Sequence, residues 1–97
     1  MAIVAVFQSP TLTQAKYEES AKKLTNGRPR LNSPSDWPVP GLLAHVAGQS
    51  ASGFRVVDVW ESEEAFRKFG EKRLPILKGL GVEGQPEIYP AHSFVKA

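Results

Sequence analysis

The chain has 97 residues, 41% of them hydrophobic and 23% charged, with a formal net charge of +2 and no cysteine. That is one globular domain, residues 1–97, with a core able to bury about two-thirds of the unfolded surface. Disulfides and thiolate chemistry are excluded, and no apolar run approaches the roughly 20 residues that span a bilayer. The opening MAIVAVFQ lacks the basic start of a signal peptide, so a cytoplasmic chain is expected.

Ala2 to Gln8 is almost wholly apolar and reads as a central strand, ended by Ser9-Pro10. Thr11-Leu12-Thr13-Gln14 has capping-box spacing, with Thr11 as the cap, and a helix runs on to about Leu24. Tyr17, Ala21 and Leu24 form its apolar stripe, and Glu18/Lys22 and Glu19/Lys23 sit four apart on its solvated face. Lys22, Lys23, Arg28 and Arg30 cluster near the helix end without interleaved aromatics. They read as a solvated face, and no nucleic-acid partner is expected.

Thr25 to Gly41 is a long connection holding four of the eight prolines and Trp37. Loops of this length often carry function, and Trp37 suits either a lid over a pocket or an anchor for the loop. Leu42 to Ala47 and Phe54 to Trp60 alternate at the strand period around a Gly- and Ser-rich turn, Gly48 to Gly53. Ser62 caps a second helix whose first turn is acidic, whose stripe is Phe66, Phe69, Leu77 and Leu80, and which Pro75 should kink. Ile88 to Val95 reads as the last strand.

The order β-α-β-β-α-β predicts an α+β, ferredoxin-like fold: an antiparallel four-stranded sheet with both helices on one face. The other face, with Leu42, Ala44, Val46, Val57 and Val59, is too apolar to stand bare, and pairing with a second copy would cover it. A hairpin centred on Ser50-Ala51 pairs His45 with Val56 and Leu43 with Asp58. His45, Asp58 and Trp60 then share a face, with Asp58 diagonal to His45. A carboxylate beside an imidazole fixes its tautomer and suits it to general-base work near neutral pH. The alternative is a polar pair that only satisfies itself within the core. Trp60 at the strand end and Tyr17 from the first helix are expected to wall a pocket, with Trp37 and His92 as further candidates. Two histidines are too few for a metal site, and no phosphate loop, nucleophile elbow or dinucleotide motif is present.

With HVAG, GFRVVDVWESEEAF and PEIYPAHSF in view, the chain resembles the dimeric α/β-barrel superfamily, and within it the small proteins grouped with antibiotic-biosynthesis monooxygenases. The similarity covers nearly the whole chain, and WESEEAF is its most specific segment. The resemblance implies a homodimer packed sheet against sheet into a barrel, each subunit keeping a pocket for a small apolar or aromatic ligand. Its haem-degrading branch uses an Asn near the end of strand one, a Trp like Trp60 and a His on helix two. Here strand one ends Phe7-Gln8 and helix two has no histidine, which disfavours haem. The phenol-oxidising branch uses an Asn and a Trp; Trp60 carries over, whereas Asn26 and Asn32 fall in the long loop.

The expected activity is that of a cofactor-independent monooxygenase or isomerase on an aromatic or polyketide-like substrate, with His45 as base, oriented by Asp58. The alternative is a non-catalytic ligand-binding or stress-associated barrel protein. An RNA-recognition module of the same fold would need exposed aromatics on strands one and three. Val56 stands where the second is needed.

Overall fold

The computed structural model describes residues 1–25, 27 and 33–95. The strands form where apolar and β-branched residues run together: β1 over Ile3–Gln8, β2 over Leu42–Ser50, β3 over Gly53–Trp60 and β4 over Glu87–Pro90. Helix α1 covers Gln14–Thr25 and α2 covers Glu63–Gly79, with a 3₁₀ turn at Pro34–Asp36. The sheet order is β2-β3-β1-β4, all antiparallel, which is the expected α+β ferredoxin-like plan.

Several local expectations need correction. The hairpin turn is Ala51-Ser52, so β2 runs on to Ser50, and His45 pairs directly with Asp58 rather than with Val56. This pairing lies two residues from the expected one. A two-residue shift keeps every side chain on its face, and so the inward set survives. A bulge between Leu42 and Ala44 turns Leu42 into the core, leaving Leu43 exposed.

Strand β4 lies at the sheet edge and pairs with β1 as far as Pro90, opposite Ile3. The last backbone bond there is Ala91 N–H to the Ala2 carbonyl, at 2.9 Å. His92 follows β4 on the exposed tail and is not a strand residue.

The cap of α1 is Thr13, whose hydroxyl accepts from the Lys16 N–H at 3.2 Å. The Thr11 hydroxyl instead joins Ser9 and the Glu83 backbone, tying the end of β1 to the segment after α2. On the solvated face Lys22 reaches Glu19 at 4.0 Å, three residues back. Arg28, Arg30, Asn26 and Asn32 lie outside the described residues.

Helix α2 is capped as expected, Ser62 Oγ accepting from Ala65 N–H at 3.1 Å, and Pro75 sits inside it. It ends in a Schellman turn. Val82 N–H reaches the Leu77 carbonyl at 2.9 Å, and Gly81 N–H the Lys78 carbonyl at 3.1 Å. Gly81 has φ +75°, which a side chain would oppose.

The helices lie on the sheet face of Ile3, Ala5 and Phe7. One core cluster gathers Ile3, Ala5, Trp37, Leu42, Trp60, Ala65, Phe66 and Phe69. A second gathers Phe7, Leu12, Phe54, Leu77 and Val82. Trp60 is fully buried, stacked on Phe69 at 5.1 Å between ring centres with Phe66 edge-on at 6.1 Å. On the opposite face Val46 is 67% exposed, with Tyr89 also in solvent. No helix among the described residues is long and apolar enough to cross a membrane.

Candidate active site

The register that sets His45 opposite Asp58 aims both side chains between the sheet and the helices. They are nearly withdrawn from water, 13% and 8% exposed. His45 Nδ1 lies 2.6 Å from Asp58 Oδ1, and the Trp60 indole N–H donates to Asp58 Oδ2 at 3.3 Å. Helix α1 brings in Tyr17, whose hydroxyl is 2.6 Å from His45 Nε2.

The donor and acceptor chemistry fixes the protons. An ionised Asp58 only accepts, so Nδ1 carries the hydrogen of a neutral His45; Nε2 then accepts from Tyr17. A continuous chain results, Tyr17 O–H to His45 to Asp58, with Trp60 bracing the far carboxylate oxygen. Burial, and secondarily the charge of Asp58, push the Tyr17 hydroxyl up from 10.0 to about 12. It therefore stays protonated across the physiological range, and with a neutral His45 protonated at Nδ1 it donates to Nε2.

The chain opens onto a cavity of about 50 Å³ between sheet and helices. That is room for a few waters. Tyr17, Ser20, His45, Asp58 and Arg73 give it polar groups; Phe7, Leu24, Trp37 and Phe69 are among its apolar walls. Trp37 is buried and meets the His45 ring edge-on at 4.8 Å between ring centres, so the loop's tryptophan packs directly on the imidazole.

Of the six side chains singled out from the sequence, Tyr17, Trp37, His45 and Asp58 converge on this cavity. Trp60 does not wall it. Its ring lies in the core behind Asp58, because its indole N–H needs a buried acceptor and Asp58 supplies one. His92 is exposed on the tail and absent from the cavity lining.

Arg73 was not foreseen. On α2 it reads as one more cation among Lys68, Lys72 and Lys78. The only available signal was its position seven residues after the core Phe66, two helical turns along the same stripe. Its guanidinium lies 5.4 Å from the Phe7 ring centre and 5.5 Å from that of Phe66. Burial lowers its pKa from the ordinary arginine value, against an opposing pull from the charge of Asp58. Among the described residues no group of three or more His, Cys, Asp or Glu side chains is placed to hold a metal ion.

An α+β sheet of order β2-β3-β1-β4 with a polar relay and cavity under its helices defines a ferredoxin-like pocket protein. Among solved structures, the chain is similar to SnoaB, a cofactor-independent oxygenase from Streptomyces nogalater. The two share 15% identity over 99% of this chain and 96% of that one, with a TM-score of 0.57. A variant of the same oxygenase aligns over the same spans at 15% identity, with a TM-score of 0.58. A Streptomyces coelicolor monooxygenase solved with nanaomycin D has 21% identity over 99% of this chain and 91% of its own. Its TM-score of 0.44 is too low for the overlap to bear on the site. No protein-family model matches the sequence, and no curated protein matches it. The monooxygenase-like resemblance carried by WESEEAF and its flanking strands thus has its counterpart in a shared fold.

Proposed function

We propose that the chain is a cofactor-independent oxygenase that deprotonates a small, electron-rich aromatic or polyketide-like substrate and lets the resulting anion react with dioxygen. The observation that carries this reading is the Tyr17–His45–Asp58 hydrogen-bonded chain ending on the cavity. His45 is the base, but it does not meet the substrate: its outer nitrogen is occupied by Tyr17. With its pKa at about 12, Tyr17 does not act as a free tyrosinate near neutral pH. It takes the substrate's hydroxyl proton while passing its own to His45 Nε2, and Asp58 holds the imidazolium that forms.

The substrate anion then adds dioxygen at a ring carbon bearing hydrogen. The peroxide takes a proton from Tyr17, which recovers its own from His45, and loss of water leaves a carbonyl. Per turnover the substrate gains one oxygen and loses two hydrogens, and the second oxygen atom leaves as water. SnoaB, with the same fold, is described as a cofactor-independent oxygenase, which supports this reaction class.

The test is oxygen uptake with a panel of polyhydroxylated aromatics, followed together with the absorbance of the quinone product. His45→Ala and Tyr17→Phe should each lower the rate on the order of 10²–10⁴-fold, the usual worth of a positioned acid or base. Full activity in His45→Ala would sink the mechanism.

A second reading is a non-catalytic ligand-binding protein, favoured by the small cavity and by a relay whose groups already satisfy one another. Tight ligand binding without oxygen uptake would select it. In either reading the 97 residues act as one domain in the cytoplasm, and Trp37 is the lid that gives way to a ring-sized ligand. Two copies pack through the sheet face carrying Val46 and Tyr89, apolar side chains that a lone subunit would leave in water.

A further inference from the structure

Arg73 is half-withdrawn from water between apolar rings, and part of its guanidinium is left without a partner. Its Nε is shut off from solvent with no hydrogen-bond partner among the described residues. Its contacts of note are the faces of Phe7 and Phe66. Asp58 lines the same cavity, yet both its oxygens are committed, one to His45 and the other to Trp60. A buried donor without a partner, on a cation that lines the cavity, suits an anion from outside. The walls around it select the kind of anion: Phe7, Phe69 and Trp37 suit a flat ring, and Tyr17 offers one hydroxyl beside it.

We infer that the cavity takes its ligand as a ring oxyanion, a phenolate or enolate, with the ionised oxygen on the Arg73 guanidinium. This deepens and rests on the oxygenase reading: Arg73 would hold the anion that the Tyr17–His45 relay creates. The groups facing the bound oxygen are then Tyr17, His45 and Asp58 from α1, β2 and β3, and Arg73 from α2. Asp58 opposes a second negative charge. Arg73 offsets that opposition with its own charge and a buried Nε–H that has no other partner.

The probe is 4-nitrophenol, whose phenolate absorbs in the visible while its neutral form does not, with 4-nitroanisole as the analogue that cannot ionise. Titrated below the free phenol's pKa, the wild-type chain should bind the coloured phenolate and hold it at least tenfold more tightly than the anisole. Arg73→Met should lose that preference and bind both alike. Lys72→Met, which removes an exposed cation of the same helix outside the cavity, should keep it. Arg73→Met should also unfold at the same or a higher temperature without ligand, because a buried donor without a partner has been removed; an arginine with a structural role would show a fall.

The inference is overturned if wild type binds only the neutral phenol, binds neither probe, or if Arg73→Met retains the phenolate preference. Phenolate binding without oxygen uptake on any substrate would leave the Arg73 site standing and remove the oxygenase reading. Oxygen uptake undiminished in Arg73→Met would do the reverse.

Discussion

Replacing Asp58 with Asn tests the direction of the relay without emptying the site. The amide has the shape of the carboxylate but offers one acceptor where Asp58 offers two, and both are used, by His45 at 2.6 Å and Trp60 at 3.3 Å. The indole N–H can only donate, so it retains the amide oxygen, and the amide NH₂ must face His45 Nδ1. Imidazole then shifts its proton from Nδ1 to Nε2, and the bond to Tyr17 reverses, with Tyr17 accepting. No buried group is stranded. The cost is the difference between charge-assisted and neutral hydrogen bonds, about 1 kcal/mol for each of two bonds, or roughly 2 kcal/mol in all.

Urea denaturation measures that loss, and ¹⁵N chemical shifts of the His45 ring distinguish the two tautomers directly. The expected result is a folded variant, about 2 kcal/mol less stable, with the proton moved to Nε2 and oxygenase activity lowered on the order of 10⁴-fold, as for other wrong-tautomer triads. A wild-type ring already protonated at Nε2, or an unmoved proton in the variant, would refute the assigned chain. A loss above about 4 kcal/mol would mean that a buried group was stranded after all.

The raised Tyr17 pKa predicts a pH dependence. Between pH 10 and about 12 the unfolded tyrosine ionises while the folded one keeps its proton, so stability falls as pH rises through that window. After screening of a half-buried group, the fall is about 2 kcal/mol or less; Tyr17→Phe should remove this part of the slope in denaturation series at each pH. Gly41→Ala should cost about 2–3 kcal/mol in thermal unfolding. At φ +111° its new Cβ would lie 2.7 Å from the Ala65 Cβ, where loop and α2 meet. Val46→Asp should convert a dimer to monomer in analytical ultracentrifugation, since it sets a charge on the exposed sheet face; a monomeric wild type would end the dimer proposal.

The fold was legible because its signals are local. Alternation through β2 and β3, the Ser62 cap and the apolar run of β1 each follow from a few neighbouring residues. The site was legible only in part, and each miss involves residues distant in sequence. The hairpin pairing lay two residues off because Ser- and Gly-rich turns leave the register open; the face assignment survived because side chains repeat every second residue. Trp60 looked like a pocket wall from its place at a strand end. Its indole N–H needs a buried acceptor, and that requirement placed it behind Asp58. His92 was read as a strand residue because the extent of β4 follows its pairing with β1, which no pattern near residue 92 reveals. Arg73 was hidden by its charged neighbours on α2.

Under the proposed proton transfer, Arg73 and Trp60 would fit the cavity to a transient charge. Trp60 and His45 hold the two oxygens of Asp58, which faces the imidazolium directly. Arg73 lines the same cavity, feels Asp58 only as a secondary pull, and keeps a buried Nε–H without a partner. When a proton moves from a ligand through Tyr17 to His45, the new positive charge falls beside Asp58 and the new negative charge beside Arg73. Before transfer both counter-charges are in place and pre-oriented, and after transfer each has its partner. An arrangement that is unfavourable in the empty protein thereby favours the separated ion pair over the neutral ligand, as preorganised electrostatic stabilisation requires. The hydrogen-bonded chain supplies the route for the proton, and the unpartnered Nε–H of Arg73 gives the anion left behind a place to rest.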